Sequence, residues 1–178
     1  CFVTGTSYRE FVKQRLASED VIPGNIILEG GQIIGVHEGI HGFTIGQRKG
    51  LGIAWHEPLF VKRVVPETGD VVVGSRHELL SAGLVAGSCN WLRWDEPPGP
   101  FNAEVKIRYR ADPVPCSVQP NADGSVTVMF DSPQRSVAPG QYAVFYDGDE
   151  VVGGSVIEMP IPIPETATTG RTSNEATP

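Results

Sequence analysis

Hydrophobic and polar residues alternate over short stretches along most of this chain, a pattern typical of half-buried β-strands. The alternation is clearest after residue 79, where turns rich in Pro, Asp, Asn and Gly separate the candidate strands. These strands cover residues 83–92, 103–110, 116–119, 126–130, 142–146 and 151–158. Six short strands at close spacing predict a small antiparallel barrel or sandwich.

The first part of the chain combines a segment with helical spacing of its apolar residues and segments that alternate as strands do. Residues 8–16 have helical spacing, and Ser7 with Glu10 three residues later fits a capping box at the start of this helix. Two hairpins are predicted after this helix, one turning at Gly30-Gly31 in two residues and one turning at residues 66–69. We therefore expect a mainly β protein. Its parts are a small central α+β domain with one N-terminal helix (1–78), an all-β domain (79–160) and a disordered Pro/Thr/Ala/Ser-rich tail (161–178).

Composition narrows the class of protein. The 178 residues are 40% hydrophobic and carry a net charge of −7, which argues against indiscriminate coating of nucleic acid but leaves room for a local basic face. Three cysteines without metal-site spacing argue against a disulfide scaffold. No apolar run approaches the length of a membrane span, so we expect a cytoplasmic protein without a membrane partner. Because the first residue is Cys and not Met, we expect a processed product or a fragment.

Cys1 is the first candidate for chemistry. A cysteine thiolate is a good nucleophile and can carry sulfur as a persulfide when it is exposed and its pKa is low. The alternative is a structural cysteine that happens to lie at a fragment boundary. Cys89 and Cys116 lie in or beside apolar strands, and we expect both in the core.

Glycines punctuate residues 42–53 and surround Arg48 and Lys49. Such a loop lets the backbone approach another molecule closely, and two cations suit a phosphate or an RNA backbone. The spacing matches neither a P-loop nor a dinucleotide-binding fingerprint. An ordinary glycine loop with two solvated charges is the alternative.

Residues 103–110 alternate strictly, so one strand face is predicted to carry the cations Lys106, Arg108 and Arg110. Two strand rises separate neighbouring cations by about 6.7 Å, close to the spacing of phosphates in a nucleic-acid strand. An ordinary charged strand face is the alternative. The four histidines show no paired ligand spacing, so no metal site is predicted.

These features occur together in one family. The chain resembles the C-terminal part of bacterial tRNA-specific 2-thiouridylases (MnmA/TrmU type). The resemblance rests on CFV at 1–3 with YREF at 8–11, FTIGQRKGLGI at 43–53, KIRYR at 106–110, FDSPQR at 130–135, PGQ at 139–141, VFYDG at 144–148 and GGSVIE at 153–158.

The resemblance implies a central domain followed by a C-terminal six-stranded antiparallel barrel, downstream of an ATP-pyrophosphatase domain that this sequence lacks. It implies ATP-dependent 2-thiolation of the wobble uridine in tRNAs for Lys, Glu and Gln. Sulfur would come from a cysteine desulfurase or a relay protein. By this resemblance Cys1 carries the persulfide and then forms a disulfide with a cysteine of the missing domain. The residues expected to bind tRNA are Arg48, Lys49, Lys106, Arg108, Tyr109, Arg110 and Gln141.

Two other functions fit parts of the sequence. A non-enzymatic RNA-binding barrel would explain the basic strand without sulfur chemistry. An autoprocessing domain would explain an N-terminal cysteine before an all-β chain. However, the chain ends in Ala-Thr-Pro and not in the His-Asn that is usual for inteins. Under the family resemblance, the fragment alone is expected to be inactive in tRNA thiolation, because the nucleotide-binding loop and the other catalytic cysteine are absent from it.

Overall fold

The structure, a computed structural model, describes Arg15 and residues 21–164. Cys1, most of the helix predicted at 8–16 and residues 165–178 of the predicted tail lie outside the described residues. The chain divides into two compact units, residues 1–79 and 80–178.

The first unit contains a four-stranded sheet in the order β2-β1-β4-β3. Its strands are β1 (Gly24–Leu28), β2 (Ile33–His37), β3 (Phe60–Val65) and β4 (Asp70–Gly74), with 3-10 turns at Ile40–Gly42 and His77–Leu79. The central strands β1 and β4 run parallel, and both outer pairs are antiparallel. Strand β4 is an apolar run in which Val71, Val72 and Val73 are fully buried, as expected for a central strand.

Both hairpins predicted in this unit are present. The first turn takes three residues and not the predicted two, because Leu28 N–H bonds to the carbonyl of Gln32 and Gly31 N–H bonds back to Leu28. Gly31 has a φ of 83°, the left-handed conformation that a three-residue hairpin loop needs at its last position.

The second unit is a closed six-stranded antiparallel barrel, which confirms the expected fold class. Its strands are β5 (Leu80–Ala86), β7 (Phe101–Lys106), β8 (Val114–Pro120), β9 (Val126–Arg135), β10 (Tyr142–Asp147) and β11 (Glu150–Pro162). They follow the order β10-β7-β8-β9-β5-β11, and pairing between β10 and β11 closes the ring. A short strand, β6 (Asn90–Trp91), pairs antiparallel with β11 at Gly153 and Gly154.

Alternate residues of each barrel strand point inward and form one core. The buried members are Leu84, Ala86, Val105, Ile107, Cys116, Val118, Val126, Val128, Phe130, Val137, Ala143, Phe145, Val152 and Ile157. Two glycines permit close approaches around it. A Cβ at Gly83 would collide with the Val128 carbonyl oxygen on the neighbouring strand, and one at Gly153 would lie 2.7 Å from the Trp91 ring.

Several strand boundaries differ from the sequence-based predictions, and three of these differences change the picture of the fold. The strand predicted over 83–92 is two strands, because the chain breaks at Gly87, whose N–H bonds to Val156 while its carbonyl accepts from the Ser155 hydroxyl. The strand predicted over 103–110 ends at Lys106. Strand β11 continues to Pro162, so the prediction of disorder is wrong for residues 161 and 162.

Strand β11 can pair with β5 as far as Pro162 because its last two prolines lie at alternate positions. Pro160 pairs with Leu84 and Pro162 pairs with Ser81 of β5. Because N–H groups two residues apart point to the same strand edge, these prolines remove donors from one edge only. Ile161 keeps its donor on the other edge, and the pairing with β5 uses that edge.

Within the described residues, no helix has the length and apolar character needed to cross a membrane.

Candidate nucleic-acid interface

The outer faces of β7 and β10 lie side by side on the barrel. On β10, Ala143 and Phe145 are buried, so Tyr142, Val144 and Tyr146 point outward. Val144 pairs directly with Lys106 of β7. The register therefore places a cation of one strand beside an outward row of two tyrosines and a valine on the other.

The turn that follows β7 extends this surface. Since Val105 pairs with Val114, the chain must reverse between them, and the turn is closed by a 3.2 Å hydrogen bond from Ala111 N–H to the Arg108 carbonyl. The predicted row of strand cations is thus wrong beyond Lys106. Arg108 and Tyr109 belong to the turn and are exposed, Tyr109 with 87% of its surface accessible.

Gln141, which directly precedes β10, contributes to the same surface. Its carbonyl accepts a 2.7 Å hydrogen bond from Ile157 N–H, and the preceding Gly140 N–H bonds to the Ile157 carbonyl at 2.8 Å. These bonds hold the turn at Pro139-Gly140 against β11. The exposed Gln141 side chain therefore projects from a fixed backbone.

Together these elements form what we call the β7–β10 groove, with a volume of about 790 Å³. Its lining residues are Lys106, Ile107, Arg108, Tyr109, Gln141, Tyr142, Val144 and Tyr146. The groove thus brings together four of the predicted tRNA-binding residues. Arg110 is exposed on the same turn but does not line the groove.

The cations of the groove differ from Lys62 and Arg93, which are both ion-paired. Lys62 is held between Glu29 at 2.7 Å and Glu78 at 3.0 Å. Arg93 bonds to both carboxylate oxygens of Glu150, at 3.0 and 2.7 Å. By contrast, neither Lys106 nor Arg108 forms an ion pair with any residue between 21 and 164. Their charges remain available to an anionic ligand.

The glycine-punctuated loop lies in the first unit and is firmly anchored there. Gly46 N–H bonds to the Val61 carbonyl at 2.8 Å, and Val61 N–H bonds back to Gln47 at 2.9 Å. The Gln47 side chain accepts from Thr44 N–H and donates to the Lys49 carbonyl. Glycines with positive φ let this short loop turn sharply while it stays fixed to β3.

Arg48 and Lys49 are both exposed on this loop. Arg48 lines a shallow cavity of about 220 Å³ together with Gly50, Trp55 and Glu57. Neither cation forms an ion pair within the described part of the chain. The loop therefore presents two accessible positive charges from a fixed backbone, which suits contact with a phosphate.

The two described cysteines are unsuited to nucleophilic chemistry. Cys116 is buried in the barrel core, and burial raises its pKa to about 12. Half-burial of Cys89 raises its pKa to about 11. Both have free thiols, as expected for core cysteines. Cys1, the predicted sulfur carrier, lies outside the described residues.

Alkylation rates test this assignment. Raising the Cys89 pKa from 9.0 to about 11 lowers its thiolate fraction near pH 8 about a hundredfold. We therefore expect iodoacetamide to label Cys89 and Cys116 at least about a hundredfold more slowly in the folded full-length protein than in urea. Peptide mapping by mass spectrometry assigns each site separately. Equal rates of Cys116 labelling in the two conditions would contradict its burial.

The histidines show no arrangement that favours a metal. His37 contacts the Gly69 carbonyl through Nε2 at 2.9 Å, and because a carbonyl only accepts, that nitrogen carries the proton. In the regions that the structure describes, no three His, Cys, Asp or Glu side chains are grouped so that they could hold a metal ion.

Comparison with known proteins agrees with the division into two units. A model of the tRNA methyl transferase PRC-barrel domain matches residues 9–75, and one of the aminomethyltransferase β-barrel domain matches residues 81–157. The chain is also 46% identical over 158 residues to the tRNA-specific 2-thiouridylase MnmA of Carboxydothermus hydrogenoformans. This match covers 89% of the chain and runs through both units. The chain belongs to the MnmA family.

Two further MnmA proteins give similar values. That of Trichlorobacter lovleyi is 46% identical over 158 residues, covering 89% of the chain and 44% of the relative. That of Nostoc punctiforme is 45% identical over 153 residues, covering 86% of the chain and 43% of the relative. The chain thus spans less than half the length of the MnmA proteins that it matches.

For this MnmA-family chain, sequence reasoning missed part of the groove. Tyr142, Val144 and Tyr146 were assigned to a strand but not to a binding surface. The signal was present, since large side chains at alternate positions flank Ala143 and Phe145, which face inward. Only the pairing of β10 with β7 places this row beside Lys106.

Proposed function

We propose that this chain is the part of a tRNA-uridine 2-sulfurtransferase that carries the sulfur and binds tRNA. In the full-length protein it acts on the wobble uridine of tRNA in an ATP-dependent reaction. The β7–β10 groove, with Lys106, Arg108, Tyr109 and Gln141, binds the RNA. Arg48 and Lys49 supply further phosphate contacts, and the exposed Arg110 adds positive charge beside the groove.

The main support for this proposal is that cationic, aromatic and amide side chains line one groove. Unneutralised cations attract a phosphate backbone, exposed tyrosine rings stack on bases, and an amide side chain bonds to base or sugar edges. The overall charge of −7 means that attraction of RNA must be local. The match to three MnmA proteins supports the choice of tRNA as the RNA.

Sulfur transfer is assigned to Cys1. A persulfide on Cys1 attacks C2 of a uridine that ATP has adenylated, and AMP leaves with the former C2 oxygen. A second cysteine then attacks the Cys1 sulfur, so that 2-thiouridine is released and a disulfide remains. A thiol reductant must reduce this disulfide before the next cycle. The ATP site and the second cysteine are placed in the part of the protein beyond this chain.

The high pKa values of Cys89 and Cys116 support this division of labour. A thiol with a pKa of about 11 or 12 is almost entirely protonated at neutral pH and is a poor nucleophile. Neither is therefore assigned the role of second cysteine. The sulfur donor is a persulfide-bearing protein such as a cysteine desulfurase or a relay protein, and the expected substrates are tRNAs for Lys, Glu and Gln.

Arg108→Ala tests the binding surface. We expect tRNA affinity of the full-length protein to fall by about 1–2 kcal/mol, the worth of one charge-assisted contact. Because one phosphate contact is lost, the slope of log K against log salt concentration should decrease by about 0.7–0.9. Filter binding or anisotropy over a salt series measures both quantities.

Arg135→Ala is the matched control, since it removes the same charge from an exposed position of the same barrel outside the groove. We expect it to change affinity by about twofold at most. An Arg108→Ala protein with the affinity and salt slope of wild type would remove the groove from the RNA-binding surface.

A further inference from the structure

Apart from Phe130, which is buried in the core, the aromatic residues of the barrel fall into two groups. Trp91, Trp94, Phe101 and Phe145 pack against one another, with ring centroids 5.2–6.4 Å apart. Tyr109, Tyr142 and Tyr146 form no ring pair within the described residues, although all three line one groove. The first group stabilises the fold, whereas in the second Tyr109 and Tyr142 are 87% and 65% exposed and Tyr146 is half-buried.

The floor between these tyrosines is apolar. Tyr142, Val144 and Tyr146 follow one another on the outer face of β10, about 6.7 Å apart. Beside Val144, strand β11 contributes Gly154, which has no side chain to interrupt the surface. Tyr142 is 65% exposed although its backbone is held in a strand, so its ring is presented from a rigid position.

Charge is distributed unevenly along the groove. Lys106 pairs with Val144 and so lies closer to Tyr142 than Glu104 does, and Arg108 follows it in the turn that lines the same groove. At the other end Tyr146 pairs with Glu104, a carboxylate that repels phosphate. An anionic group is therefore favoured at the Tyr142 end, next to the most accessible ring on β10.

We propose that the β7–β10 groove receives one unpaired nucleotide of tRNA. Its base stacks on Tyr142, with Tyr109 at the rim, and its phosphate contacts Arg108 and Lys106. The Gln141 amide bonds to an edge of the base. The volume of about 790 Å³ is within the range of about 300–1,000 Å³ typical of small-ligand sites.

The shape of the groove distinguishes this ligand from an RNA stem. Bases of a duplex are stacked inside the helix, so a stem offers side chains its phosphates and 2′-hydroxyls but no base face. A concave, apolar surface edged by open rings gains little from such a ligand. It matches an unstacked base, which RNA-binding proteins typically hold on aromatic side chains. This inference rests on the proposed function, because it concerns how the same surface binds tRNA.

The test compares three RNAs with the full-length protein: a tRNA, a single strand and a blunt-ended duplex, the last two of equal length. Tyr142→Ala is expected to weaken binding of tRNA and single strand about 5- to 100-fold, the usual worth of one stacked base. Binding of the duplex should change by about twofold at most. Because no charge is removed, the salt slope should stay as in wild type, unlike that of Arg108→Ala.

Two controls accompany this variant. Tyr142→Phe keeps the ring and should bind all three RNAs like wild type. Met159→Ala removes an apolar side chain that is 55% exposed on the same barrel but outside the groove, and it too should bind normally.

The outcomes separate the two proposals. If the full-length protein binds and thiolates tRNA but Tyr142→Ala binds every RNA like wild type, the nucleotide site is refuted and the proposed function stands. The nucleotide site is also refuted if Tyr142→Ala weakens duplex and single strand equally. If the wild-type full-length protein binds no tRNA, both proposals fail.

Discussion

In the full-length protein, Cys1→Ser is expected to lower tRNA 2-thiolation roughly a thousandfold or more, as loss of a catalytic nucleophile does in other enzymes. A serine hydroxyl cannot hold the terminal sulfur of a persulfide, so no sulfur reaches the activated uridine. Binding of tRNA should be unchanged, because the substitution replaces a single sulfur atom with oxygen and leaves the proposed RNA-binding residues in place. Mass spectrometry of tRNA nucleosides after incubation with ATP and a persulfide donor measures the product.

Cys89→Ala and Cys116→Ala are the matched controls for this experiment. Both remove a thiol whose high pKa excludes it from nucleophilic chemistry, so thiolation should persist as long as the barrel is folded. Thiolation that survives Cys1→Ser would assign the sulfur to another residue. If the wild-type protein binds tRNA tightly but never thiolates it, a non-enzymatic RNA-binding barrel becomes the better description.

Phe145→Ala is expected to destabilise the barrel by about 3–5 kcal/mol, the usual cost of removing a fully buried aromatic ring. Phe145 is completely buried on β10 and stacks on Trp91 with ring centroids 5.8 Å apart. Its loss would leave a cavity beneath the strand that carries the groove. Urea denaturation followed by tryptophan fluorescence, with hydrogen exchange of peptides from β10, measures the change.

Two further variants serve as controls for the expected loss of stability. Phe145→Leu retains much of the buried volume and should cost clearly less than the alanine variant. Tyr142→Ala, three residues away on the outer face of the same strand, should change the free energy of unfolding by about 0.5 kcal/mol at most. If Phe145→Ala costs no more than Tyr142→Ala, the aromatic cluster does not stabilise the barrel.

Local pattern was sufficient to predict most of the strands. The alternation over 126–130 and 142–146, and the Pro/Gly turns between strands, identified elements that the structure contains as Val126–Arg135 and Tyr142–Asp147. These signals act within a few residues, which is why they can be recognised without knowing the neighbours of a strand.

Features that depend on strand neighbours could not be predicted in this way. The end of β7 at Lys106 depends on its register with β8. Polar and apolar residues go on alternating beyond Lys106, so the sequence pattern does not reveal that a turn begins there. Likewise, the resemblance to a known family indicated Arg108 and Gln141. Their meeting in one groove, with Tyr142 and Tyr146, required the register of β7 against β10.

The alternate prolines at the end of β11 have a consequence for the behaviour of the molecule in solution. Beyond Ile157 this strand pairs, among the described residues, only with β5, so its other edge would be a template for a strand from a second molecule. Pro160 and Pro162 deprive that edge of its hydrogen-bond donors. An approaching strand would leave its own carbonyls unsatisfied, and the barrel is thereby protected against edge-to-edge aggregation.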